Sequence, residues 1–279
     1  MPELPEVERG RRLAATACEG RRIERVRCAN DRIVFDEQSP LHVRRALIGR
    51  RVRRVHRHGK QLWFELDDQN HPLFHFGMAG AFQVPGVPAL SLASSGKRDG
   101  DGSWPPRHLK IHLWMEDGGE LVMTDKRRFG RIRLRAEPRA EPPISRLGFD
   151  PLTQMPPMEE FARRLRGRRV AIKSLLLDQG FAAGVGNWIA DEVLYQAGID
   201  PRRGADSLSK AELRRLRNKL GAVVKKAVEV DAVKERFPRS WLFHHRWGKS
   251  ASARTARGQA IEFIEIGGRT TAWVPTLQK

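Results

Sequence analysis

The sequence predicts an α+β protein of several domains: an N-terminal antiparallel β-sandwich or barrel carrying an N-terminal helix, then a helical domain, then a C-terminal β-hairpin. Three observations carry that prediction. Strand-like alternation dominates the first half, with no helix-length pattern between consecutive strands, which argues against a βαβ fold. Helical periodicity takes over from about residue 158. The last thirty or so residues return to apolar strands around Gly267-Gly268. A chain of 279 residues, 40% of them hydrophobic, is long enough for more than one core. The expected divisions are 1–147, a linker at 148–157, a helical domain at 158–240, and a hairpin domain at 241–279.

The opening stretch reads as a helix because Pro5 suits a first turn and Glu6 and Glu8 favour its positive end. Val7, Ala14 and Ala17 would face inward, and Gly20 is a natural stop. Strands are expected at 61–66, 73–76, 110–115, 120–124 and 131–135. Residues 84–107, rich in Gly, Pro and Ser, read as a long mobile loop. The three prolines of 148–157 mark turns. Helices follow at 158–165, 172–177, 188–196 and about 209–230. The last of these opens with the capping box Ser209–Glu212 and buries Leu213, Leu216 and Leu220. Gly198 and Pro201 close the helix before it. Strands at 261–266 and 269–274 flank Gly267-Gly268, which suits the positive φ angles of a two-residue turn.

Charge narrows the function. Lys and Arg number 52 against 33 Asp and Glu, a net charge of +19. That excess argues against an ordinary metabolic enzyme and for a polyanionic partner. No apolar run is long enough to span a membrane, and the acidic start lacks a signal core, so the expected setting is soluble, intracellular and reducing. Cys18 and Cys28, the two cysteines, cannot form a zinc site by themselves.

The start, MPELPEVE, carries the sharpest chemistry. Removal of Met1 would expose Pro2 as a secondary amine, and a free α-amine titrates near pH 8, against roughly 10.4 for lysine. Such an amine can attack C1′ of a deoxyribose, and the resulting iminium is an electron sink. Glu3 and Glu6 stand one helical turn apart, and paired carboxylates can divide into an acid and a base. Taken alone, Met-Pro-Glu could simply open a helix.

The company it keeps is more specific. MPELPEVE, RHGKQLWFEL (57–66), HFGMAG (75–80), TDKRRFG (124–130) and LLLDQGFAAGVGNWIADEVLYQAGIDP (175–201) run in order through nearly the whole chain. Together they resemble the Fpg/Nei family of DNA glycosylases with AP-lyase activity, and LPEVE resembles the Fpg branch. The resemblance implies that Pro2 is the Schiff-base nucleophile, Glu3 the acid that opens the sugar, and Glu6 a supporting carboxylate. It makes Lys60 the β-elimination lysine, set in a stretch (51–60) that holds four Arg and two His. An enzyme acting on a stacked base must flip it out and fill the hole. Met78, Arg127 and Phe129 match the void-filling residues, with Arg127 facing the orphaned base. Arg128 and His108 fall at expected phosphate contacts. The turn holding Gly180, Gly184 and Gly186 matches a helix–two-turn–helix, with Asn187 and Lys173 at phosphates.

Two departures qualify this. Zinc-finger members end in four cysteines, whereas this chain has none after Cys28, so no zinc and no other cofactor is expected. The hairpin resembles the zincless finger of plant and fungal members, and Arg269 matches its arginine, which binds phosphate and assists δ-elimination. Residues 227–249 also lack the long segment that covers flipped 8-oxoguanine, which implies better action on formamidopyrimidines, hydantoins and abasic sites. The expected protein is a monomeric bifunctional glycosylase/AP lyase acting on damaged duplex DNA. A Nei-like preference for oxidised pyrimidines and a non-catalytic damage-binding protein are the alternatives.

Overall fold

The computed structural model describes residues 1–90 and 103–279, in two compact units, Met1–Arg146 and Leu147–Lys279. Part of the loop expected over 84–107 therefore lies outside the described residues.

In the first unit, α1 (Leu4–Cys18) buries Val7 and Ala14 and leans Ala17 on the same core. Two four-stranded antiparallel sheets follow. One runs β1 (Ile23–Cys28), β6 (Leu109–Met115), β7 (Glu120–Thr124), β5 (Ala81–Gln83). The other runs β2 (Val52–His58), β3 (Gln61–Leu66), β4 (His71–His75), β8 (Arg131–Arg135). Both give inward residues to one core, where Phe82 of the first sheet meets Phe74 of the second at 5.1 Å between ring centres. This is the predicted sandwich. Four elements escaped the sequence reading. In β2 the basic residues at 53, 54 and 56–58 hide the alternation. A bulge between Ile23 and Arg25 breaks the alternation of β1. The eight-residue α2 (Pro40–Leu47), capped by Ser39, and the three-residue β5 are too short to show a period.

In the second unit, the segment expected as a linker is packed rather than free. The Gly148 N–H donates to the Gln179 carbonyl and the Ala183 N–H to Phe149, both at 2.9 Å. Phe149 rests on Phe161 and Phe181, and Asp150 is fully buried. Helices α3 (Met158–Leu165), α4 (Ile172–Leu177), α5 (Asn187–Ala197) and α6 (Lys210–Glu229) fall where periodicity puts them. Ser209 and Glu212 form the predicted capping box, and Leu213, Leu216 and Leu220 are buried. The hairpin of β9 (Glu262–Ile266) and β10 (Arg269–Trp273) turns at Gly267 and Gly268, whose φ angles are +57° and +68°. Among the described residues no helix is long and apolar enough to cross a membrane.

Candidate active site and nucleic-acid interface

Helix geometry assembles the centre of the first unit. Glu3 caps α1 and Glu6 occupies its third position, so in a reciprocal capping box each carboxylate accepts the other residue's backbone N–H. The Glu3 N–H donates to Glu6 Oε2 at 2.9 Å. Pro2 and Glu3 are buried, Glu3 to 2% exposure. The α-amino group of Met1 is held below its ordinary range, chiefly by burial. Glu3 and Glu6 pull it back up, while Lys60 and Arg127 press it further down. Charged groups from α1, from the β2–β3 turn and from the β7–β8 loop thus converge on the chain's start. Burial, then the neighbouring Glu3, pushes the Glu6 carboxyl up to about 7. A carboxyl poised there can hold or release a proton at neutral pH.

Two interlocked loops stand near this centre. Phe129 is 49% exposed, far more than its apolar ring would be in a core, and the Arg127 guanidinium sits 5.2 Å from its ring centre. Asp125, fully buried, ties their loop from inside by accepting from the Arg127 N–H at 3.0 Å and the Gly130 N–H at 2.6 Å. Half-buried Met78 lies on the other loop. There Gly77 has φ +60°, and a Cβ would stand 2.3 Å from the Phe129 carbonyl carbon, so only glycine lets the loops touch. The Gly77 N–H donates to His75 Nδ1 at 3.2 Å. Burial first, then Lys60, Arg133 and Arg131, pushes His75 down to about 4 and keeps that nitrogen an acceptor. His108 is exposed, with its carbonyl accepting from the Asp125 N–H at 3.0 Å.

Arg128 has a partner that the sequence reading did not foresee. Its guanidinium grips Asp31, with Nε 3.1 and 3.2 Å from the two carboxylate oxygens and Nη2 3.0 Å from one. The side chain nonetheless stays half exposed.

In the second unit, α5 begins at Gly186, which has no side chain to cap the helix. Asn187 Nδ2 donates to the Thr270 carbonyl at 2.8 Å, and its Oδ1 is buried with no hydrogen-bond partner among the described residues. Of the three turn glycines only Gly184 takes a positive φ, +93°. Lys173 must be corrected. It is completely buried, pairs with Asp191 and donates to Thr270, so it cannot meet a phosphate from there. The period of α4 places it on the inner face, where an ammonium survives only with a partner. Asp191 also accepts from Arg246 Nη2 at 2.6 Å and from the Ala272 N–H at 3.1 Å, joining α5 to the hairpin. Arg269 stands exposed beside the hairpin turn.

The sequence matches the formamidopyrimidine-DNA glycosylase N-terminal domain over residues 1–132 and the H2TH domain of the same enzymes over 147–238. A formamidopyrimidine-DNA glycosylase of Arabidopsis thaliana is 46% identical over all of this chain and 71% of its own length. One from Paracoccus denitrificans is 36% identical over the whole of both chains. The chain belongs to the formamidopyrimidine-DNA glycosylase family. A solved Fpg of Lactococcus lactis, in complex with DNA containing N7-benzyl-Fapy-dG, has a TM-score of 0.79 at 26% identity, with full coverage of both chains.

Four residues of this Fpg-family chain escaped the sequence reading: Asp31, His75, Asp125 and Asp191. His75 and Asp125 lie inside HFGMAG and TDKRRFG, where a polar residue before a glycine turn was the available signal. Asp31 and Asp191 act on residues far along the chain and left no local pattern. The donor set does not fit a four-cysteine zinc centre, because both cysteines precede residue 29. Among the described residues no group of three or more His, Cys, Asp or Glu is placed to hold a metal.

Proposed function

We propose that this chain is a DNA glycosylase and AP lyase of base excision repair that removes oxidised purines from duplex DNA. One observation carries the reading: the charges of Glu3, Glu6, Lys60 and Arg127 all act on a half-buried amino terminus. Once Met1 is removed, the Pro2 nitrogen attacks C1′ of a flipped nucleotide as the glycosidic bond breaks. Glu3 protonates the sugar ring oxygen and the ring opens to an iminium. That iminium accepts electrons as a proton leaves C2′ and the 3′ phosphate departs, with Lys60 nearby. A second elimination, aided by Arg269, expels the 5′ phosphate. Met78, Arg127 and Phe129 occupy the vacated place in the duplex, Phe129 as an apolar wedge. The uncapped start of α5 takes a backbone phosphate. No metal enters this scheme, and the Asp191 network organises the hairpin in place of one. Residues 227–249 hold α6's end and short turns rather than a long lesion cover, which favours formamidopyrimidines over 8-oxoguanine.

Borohydride trapping of Met1-processed protein on a duplex with one abasic site tests this. A covalent adduct mapped to Pro2 is expected. Folded, processed protein that binds the duplex but traps nothing is instead a damage-binding protein.

A further inference from the structure

Asp31 lies on the loop after β1 and is 6% exposed. Lys110 Nζ reaches its Oδ2 at 2.7 Å, and the Ile33 and Val34 N–H groups donate to Oδ1 at 3.1 and 3.3 Å. Arg128 adds its fork from the β7–β8 loop. Burial pushes the Asp31 carboxyl up, but the bonds from Arg128 and Lys110 outweigh it and hold the group well below the carboxylate range. Arg128 itself has φ +58°, a left-handed conformation that residues with side chains rarely adopt. This residue separates Arg127 from Phe129, so its reversed backbone sets the directions of both neighbours. Asp125 holds the loop from inside and Asp31 from outside, and the Ile132 N–H bonded to Val34 at 2.9 Å closes the loop onto the Asp31 turn.

We propose that Asp31 is a positioning residue for base eversion: by gripping Arg128 it fixes the 125–130 loop with Arg127 and Phe129 set to fill the gap. The inference rests on the function proposed above. It differs from a phosphate-contact role for Arg128, which Asp31→Asn would leave in place and whose loss would add to that of Asp31 rather than merge with it.

The test is single-turnover excision of a formamidopyrimidine from a duplex by processed wild type, Asp31→Asn, Arg128→Lys and the double variant. Borohydride trapping on a single-stranded abasic oligonucleotide, which has no gap to fill, is the control. Each single variant should cut the duplex about tenfold more slowly, and the double variant no more slowly than the worse single. Trapping on the single strand should stay within about twofold of wild type. Unchanged duplex excision, losses that multiply in the double variant, or an equal loss on the single strand would each overturn the proposal. Arg128→Lys alters a half-exposed side chain and keeps the test alive if Asp31→Asn fails to fold. Wild type that traps nothing defeats the functional reading instead, independently of Asp31.

Discussion

Glu6 in the first unit and Asp191 in the second are both acids with little water, yet they are treated in opposite ways. Asp191 is surrounded by donors: Lys173, Arg246 and the Ala272 N–H. Glu6 is raised to about 7 by burial first and then by the Glu3 carboxylate, against the backbone N–H that it accepts. The first arrangement fixes a shape; the second stores a proton. Glu192, beside Asp191, adds a warning. It too is pushed up to about 7 by burial, against Gln196 and the Phe243 N–H, which donate to its oxygens, and the charge of Arg246. A raised carboxyl therefore marks burial that the neighbouring charges do not offset, not chemistry. What sets Glu6 apart is the amine and lysine sharing its site.

The comparison can be broken at several points. Pro2→Gly or Glu3→Gln should lower lesion-duplex nicking by a thousandfold or more on the order of general acid and nucleophile losses, while binding shifts only a few-fold. Wild-type nicking by both variants would sink the mechanism. Asp191→Ala strands Lys173 and Arg246 in the core and should destabilise the protein by about 3–5 kcal/mol in urea unfolding. A smaller loss would mean that the pairing matters less than its burial suggests.

Glu192→Gln probes the structural twin. An acid raised in the folded state binds its proton more tightly there, so stability falls as pH climbs from about 4.5 to about 7. The cost above pH 7 is about 3 kcal/mol at most. The variant should show a shallower decline of Tm over that window, with excision unaffected. Glu6→Gln should instead remove a limb near pH 7 from the excision profile; an unaltered profile would return Glu6 to a capping role. The smallest effect is expected at the hairpin. Arg269→Ala should flatten the salt dependence of DNA binding by about one unit, as a lost phosphate contact does. Lys173→Ala should leave that slope unchanged while weakening the fold.

Much of this molecule is readable along the chain. The α6 capping box, the Gly267-Gly268 turn and the strands at 61–66, 120–124 and 131–135 are encoded by neighbours in sequence, and periodicity exposes them. Glu3 and Glu6 are readable for the same reason, since one helical turn joins them. Lys173 misleads because charge reads as surface, and only the fold reveals Asp191 waiting 18 residues away. Arg128 conceals a partner in the same manner, with Asp31 at a separation of 97. Long-range pairs of opposite charge are chosen by topology, which leaves no local periodicity.

The close approach at Gly77 carries a mechanical consequence. With no room for even a methyl group between its backbone and that of Phe129, the segments bearing Met78 and Phe129 pack backbone against backbone. They behave as one tooth with two cusps, already cut when the protein folds. On the proposed function, the protein does not reach into the helix one finger at a time. The DNA must bend onto a fixed shape, so its willingness to kink becomes part of what is read.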